Sequence, residues 1–274
     1  MAEEDAQGEE GRHTGSAVFR VRCFGSFEVR ANGQEISRWK VQKARELLAY
    51  LIARGGTGVL RDEVAEALWP DGDPGEVQRL LSNAAYYLRR AMKSALAGTD
   101  VQVFVTSGQR YHLRTGELRV DVEAFDAHLR RAEALEGLEA LAEYERALAF
   151  YQGDFLGSEP YEWADAYRRE YQRRFLAATH QAARLAGQSR DVEKAMHLYR
   201  AILASDPIDE EAARGLMRCY SRLGDVNGAR KLYKVLTESL RRELEDENAE
   251  PLPETTALFQ EFMQKATRAS GRTP

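Results

Sequence analysis

Residues Glu76 to Lys93, EVQRLLSNAAYYLRRAMK, carry the side chains best suited to recognition chemistry. Arg79, Ser82, Asn83, Tyr86, Arg90 and Lys93 recur at three- and four-residue steps, the spacing of one helix face. That face offers guanidinium and ammonium groups, an amide, a hydroxyl and a phenol, with no carboxylate among them. Such groups hydrogen-bond phosphates and the edges of bases. Val77, Leu81, Ala84, Leu88 and Ala91 form an apolar stripe on the other side. The alternative for a polar face of this kind is plain solvation, and the neighbouring segments decide between the two.

Other chemistries find little support. The chain has no phosphate-cradling GxxxxGK[ST] motif, no nucleophile elbow, and no Cys/His/carboxylate cluster, so no enzyme is expected. The five histidines are scattered, and no metal or other cofactor is implied. Cys23 and Cys219 read as two separate thiols in a reducing compartment.

At 274 residues and 43% hydrophobic, the chain can form two domains with real cores. No apolar run approaches the roughly 20 residues that cross a bilayer, and no signal-peptide pattern opens the sequence. The net charge of −5 is unevenly spread. Residues 17–120 carry +5, residues 121–274 carry −6, and the first 16 residues carry −4. A basic block joined to an acidic one suits contact with nucleic acid by one half and with a different partner by the other.

The elements that would position the recognition face follow from periodicity. Residues 1–16 are acidic and poor in large apolar groups, which predicts a disordered tail. Residues 17–38 alternate with a period of two around Asn32-Gly33, which predicts three short antiparallel strands. Val41, Ala44, Leu47, Leu48, Leu51 and Ile52 make a helical stripe that stops at Gly55-Gly56. After a short loop, RDEVAEALWP predicts a second helix with Val64, Leu68 and Trp69 inward, ended by Pro70. The third helix is the stretch described first. VQVFVTSGQRYHLR then predicts a hairpin around Ser107-Gly108-Gln109 with Arg110 and Arg114 on its second strand. Three helices and a hairpin in this order are those of a winged helix-turn-helix, whose third helix enters a major groove.

From Asp121 onward the pattern is helical and repeats. DVEKAMHLY at Asp191 recurs as DVNGARKLY at Asp225, an offset of 34 residues. Ala195 matches Ala229, Leu198 matches Leu232, Tyr199 matches Tyr233, and Ile202 matches Leu236. This is the tetratricopeptide pattern, with Asp206-Pro207 as a turn between helices. Residues 138–155 read as an earlier, degenerate repeat. The fold class is therefore mainly α with a small β component. A winged helix over 17–118 precedes a tetratricopeptide-like domain over 119–268, with a short tail at 269–274.

The ordered segments ARELLAYLIARGG, LRDEVAEALWPD, LRRAM, VDVEAFDAHL, FYQGDFL and DPIDEEAARGLMRCYSRLGDVNGARKLYKVLTESLRRELE resemble the Streptomyces antibiotic regulatory protein type of activator. That type joins an OmpR-like winged helix to a bacterial transcriptional activation domain, and the resemblance covers about residues 19–265. It implies a cytoplasmic transcription factor that binds promoter direct repeats on double-stranded DNA, as a side-by-side homodimer, and recruits RNA polymerase. Carried over by position, Arg79, Ser82, Asn83 and Tyr86 would face bases. Arg89, Arg90 and Lys93 would face phosphates or polymerase, and the wing would contribute Arg110. The chain departs from the family pattern at Tyr86-Tyr87, where Ser-Arg is common, and at Arg110, where Gly is usual. Two alternatives stand beside this reading: a regulator whose helical domain senses a small molecule, possibly a nucleotide, and a protein-interaction scaffold. Arg168, Arg169, Arg173 and Arg174 form the densest basic cluster of the helical half, and are either an effector or partner site or an exposed face paired with residues such as Glu170.

Overall fold

The computed structural model describes residues 19–56, 58–96, 102–189 and 191–270. The expected tail over 1–16 and residues 271–274 of the expected C-terminal tail lie outside these. The described residues form two compact units, one of residues up to 123 together with 152–169, the other of 124–151 and 170 onward. The sequence-based division placed a single cut near residue 118; the first unit instead takes in a later segment as well.

The first unit opens with β1 (Phe19–Arg22), β2 (Glu28–Ala31) and β3 (Gln34–Glu35). Asn32 and Gly33 turn the β2–β3 hairpin with φ of 48° and 83°, the left-handed pair that favours Asn-Gly. β1 also pairs in parallel with β7 (Leu118–Val120), closing a sheet of order β3-β2-β1-β7. Helix α1 (Gln42–Ala53) is buried along nearly its whole second half, from Glu46 to Ile52. It ends where Gly55 and Gly56 adopt positive φ and the Gly56 N–H returns to the Leu51 carbonyl, a Schellman-type stop. Two residues, β4 (Val59–Leu60), precede α2 (Arg61–Leu68) and pair with β6 (Arg110–Leu113). The sequence read this stretch as loop, since two residues carry no period. With β5 (Phe104–Ser107) they complete a three-stranded wing of order β4-β6-β5. Within α2, Val64 and Leu68 are buried as expected, whereas Trp69 is half-buried, its ring lying 5.2 Å from the Lys43 Nζ.

Residues 152–169 join this unit through α1. Arg45 forms an ion pair with Glu159 at 2.6 Å, and the indole of Trp163 donates to the buried Glu46 at 3.2 Å. The same indole meets the Tyr50 ring edge-on at 5.0 Å. At the other end of the sheet the Asp121 carboxylate accepts the N–H groups of Cys23 and Phe24 at 2.8–2.9 Å. Burial raises its pKa despite these donors.

The second unit is helical. It holds most of α4 (Asp121–Glu133), all of α5 (Gly137–Phe150), most of α6 (Asp165–Gln188), and then α7 (Val192–Ser205), α8 (Glu210–Leu223), α9 (Val226–Glu243) and α10 (Pro253–Ser270). The predicted repeat is visible in the caps: Asp191 and Asp225 each accept the N–H three residues on, opening α7 and α9 alike. Ala195 and Ala229 are fully buried, as are Ile202 and Leu236. The Tyr199 ring lies so close to Gly215 of α8 that a Cβ there would sit 2.2 Å from it, which explains why that helix carries glycine in its interior.

Candidate nucleic-acid interface

Helix α3 (Pro74–Ala95) is the longest element of the first unit apart from the shared α6. Proline at its first position and an Asp73 cap accepting from the Glu76 N–H at 3.1 Å start it, and Lys93 lies in its last turn, where the dipole favours a cation. Its inner face is Val77, Leu81, Ala84, Ala85, Leu88 and Met92. The expected stripe placed Ala91 there; Ala91 is only half-buried, because the contact line continues at four-residue steps from Leu88 to Met92. This face packs on α1 and α2 and leaves the other side open.

On that open side Arg79, Ser82, Asn83, Tyr86, Arg89, Arg90 and Lys93 are all exposed. Their engagements differ. Arg79 lies 3.5 Å from Glu76 and keeps 79% of its side-chain surface. The face is thus not wholly free of carboxylate, since Glu76 stands at its N-terminal end. Among the described residues, the side chains of Asn83, Arg90 and Lys93 form no hydrogen bond or ion pair. Ser82 is occupied: its hydroxyl donates to the Gln78 carbonyl at 2.8 Å and accepts from Arg61 at 3.1 Å. Arg89 reaches the wing, donating to Thr106 at 3.1 Å with its guanidinium 5.3 Å from the Phe104 ring. Tyr86 is 53% exposed and meets Tyr87 edge-on at 5.2 Å, while Tyr87 is half-buried beneath the Lys40 ammonium. Arg110 begins β6 and donates to the Gly58 carbonyl.

Arg61 is a residue the sequence reading passed over. Its guanidinium spans from Ser82 of α3 to the Tyr111 ring of the wing at 5.7 Å, and its backbone N–H donates to the Gln109 carbonyl at the wing tip. Its Nε is buried without a partner. Burial pushes the Tyr111 phenol up, against the opposing pull of Arg61. A signal was present in the sequence: a cation at the first position of a helix opposes the helix dipole and calls for a reason. Arg61 and Arg89 together hold the wing in register with α3.

The arginines of α6 are placed otherwise. Arg168 donates to the Phe155 and Glu159 carbonyls at 3.2 and 2.5 Å and pairs with Asp165 at 2.5 Å. Arg173 pairs with Glu170 at 2.7 Å. Arg174 pairs with Asp126 at 2.8 Å and lies 5.5 Å from the Phe125 and Tyr171 rings. Arg169 is exposed. Among the described residues, no group of three His, Cys, Asp or Glu side chains is placed to hold a metal ion, and no helix is long and apolar enough to cross a membrane.

A three-helix core with a β wing, followed by a helical repeat unit, defines a class of transcription regulators. Residues 120–263, just over half of the chain, match the model of the bacterial transcriptional activator domain, and the chain belongs to that family. The winged helix ahead of it gives the organisation of the Streptomyces antibiotic regulatory protein type that the sequence resembles. Among solved structures, Mycobacterium tuberculosis EmbR in complex with a low affinity phosphopeptide is similar, with a TM-score of 0.73. The alignment covers 93% of this chain and 68% of EmbR at 17% identity, a likeness of fold. No curated protein sequence matches the chain significantly.

Proposed function

We propose that this transcriptional activator binds double-stranded DNA in a sequence-specific manner through α3 and recruits RNA polymerase to the promoter. It does no chemistry of its own and works in the cytoplasm, on the nucleoid. The observation that carries this reading is the open side of α3, where Asn83, Arg90 and Lys93 stand exposed and unpartnered in their own unit. A major groove about 12 Å wide admits such a helix. Arg79, Asn83 and Tyr86 are assigned to base edges, and Arg90 and Lys93 to phosphates. Ser82 and Arg89, already held by Arg61 and Thr106, support the face more than they read sequence. Arg110 brings the wing to the DNA backbone. Two copies sit side by side on direct repeats.

Selection of bound duplexes from a random library with the full chain tests the reading. The expected result is a short repeated motif bound with strong salt dependence. Arg90→Ala should weaken binding to every sequence alike and lower the salt slope by about one. Binding without salt dependence, or an Arg90→Ala variant that binds as the parent does, would sink it.

Effector control is a second reading, and a shallow, half-open depression in the helical unit, lined by Glu133, Tyr144, Gln181, Arg184 and Gln188, is where a ligand would be sought. The arginines of 168–174 do not line it. A thermal-shift screen with nucleotides separates the readings, because a ligand that binds only the folded state must raise Tm.

A further inference from the structure

The outer side of the four-stranded sheet carries a second charge imbalance. Register sets Arg20 of β1 directly beside Arg30 of β2 and Arg119 of β7. All three are exposed and alternate with the buried Phe19, Val21, Val29, Ala31, Leu118 and Val120. Adjacent strands lie about 4.8 Å apart, so three guanidinium-bearing positions stand in a row roughly 10 Å long. Like charges directly opposite one another destabilise a sheet. Within the unit the row is relieved at one end only, where register sets the exposed Glu35 of β3 beside Arg30. Arg30 lies 3.8 Å from Glu28, whose other oxygen is taken by Arg22 and Ser26. Among the described residues, the side chains of Arg20 and Arg119 have no hydrogen-bond or ion-pair partner.

The loop from α9 to α10 carries the opposite imbalance. Glu243, Glu245, Asp246, Glu247 and Glu250 fall between residues 243 and 250, and all are exposed. Glu243 ends α9 and the others follow it, at the end of the helix where the dipole disfavours carboxylates. Arg242 and Arg241 answer Glu243 and Glu250. Glu245 and Glu247 have no cation within ion-pair distance among the described residues. Leu244 and Leu252, 58% and 51% exposed, lie beside them as apolar contacts without cover.

We propose that these two surfaces form one interface between copies of this chain: the arginine row of one copy receives the acidic α9–α10 loop of the next. Each surface is electrostatically unfavourable alone, and each supplies what the other lacks, with arginine able to grip carboxylate through two hydrogen bonds. The patches differ, so each copy meets its neighbour through a surface unlike its own. The contact does not depend on the DNA-binding reading.

Sedimentation velocity on the full chain without DNA tests the proposal. The parent should self-associate at low ionic strength and dissociate as salt is added. Arg20→Glu/Arg119→Glu and Glu245→Lys/Glu247→Lys should each weaken self-association at least about tenfold, by placing like charges across the contact. Mixing the two variants should restore association, since the acidic sheet of one meets the basic loop of the other. A parent that stays monomeric at low salt, variants that associate like the parent, or a mixture that stays monomeric would each overturn it. If Arg20→Glu/Arg119→Glu instead weakens binding to duplex DNA and leaves self-association unchanged, the row contacts phosphates and the proposal falls. Arg79→Ala/Arg90→Ala, measured alongside, should lose DNA and keep self-association, so failure of the DNA reading shows separately. Thermal unfolding of each variant establishes that the exchanged side chains, all exposed, leave the fold intact.

Discussion

Helices α3 and α6 both display adjacent arginines in sequence, Arg89-Arg90 in one and Arg168-Arg169 and Arg173-Arg174 in the other. Their fates diverge. On α6, Arg168, Arg173 and Arg174 each find a carboxylate within the chain. On α3, Arg90 and Lys93 find none among the described residues, and Arg79 holds Glu76 only at 3.5 Å. The lesson is that a cluster of cations says little until its counter-charges are placed. Paired, they are neutralised within their own helix or against a neighbour, as Arg174 is by Asp126; unpaired on an open face, they await an anion from elsewhere.

Removing a paired charge should cost stability, and removing an unpaired one should cost binding. The largest effect is expected at Glu143 of α5, buried and held by Arg131 and His128 of α4 and by Arg146. Glu143→Gln should destabilise the chain by about 3 kcal/mol, the low end for breaking a buried ion pair because the guanidiniums are half exposed. The hydrogen bond from Arg131 chiefly, then those from His128 and Arg146, overcome burial and hold its carboxyl at about 2. A depressed carboxyl stabilises the fold fully above the unfolded pKa, near 4.3. That contribution fades as pH falls from there to about 2, and Glu143→Gln should remove this acid limb from denaturant melts followed against pH.

On the unpaired side, Arg79→Ala and Asn83→Ala should each lose about 1–3 kcal/mol of discrimination between selected and random duplexes, with Tm unchanged. A drop in Tm without a change in discrimination would move these residues to the paired class. Arg174→Ala should do the reverse, costing about 1–2 kcal/mol of stability by stranding Asp126, with DNA affinity intact. Smallest of all, Arg173→Ala should leave both Tm and binding where they were, since its pair with Glu170 is fully solvated.

Much of this contrast was legible in the sequence, and the remainder was not for physical reasons. The stripes of α1 and α3, the Asn32-Gly33 turn and the 34-residue offset are local signals, readable from a window of a few turns. The Asp191 and Asp225 caps fall at matching places in the repeat. The partners that settle each cation are distant in sequence: Asp126 lies 48 residues from Arg174, and Thr106 lies 17 from Arg89. Periodicity cannot see them. Nor could it see the parallel pairing of β1 with β7, or the Asp121 carboxylate that caps Cys23 and Phe24 across nearly a hundred residues. Those contacts depend on topology that no short stretch encodes.

The inclusion of residues 152–169 in the first unit bears on how the chain is made. On the ribosome, β1 emerges first yet waits for β7 and Asp121, while Arg45 and Glu46 wait longer still, for Glu159 and Trp163. The winged-helix unit is therefore completed only after the opening helix pair of its neighbour has been synthesised. A nascent chain halted at residue 120 exposes the tyrosine and glutamate that Trp163 later covers, and a gene fragment cut there asks the winged helix to stand without its last brace.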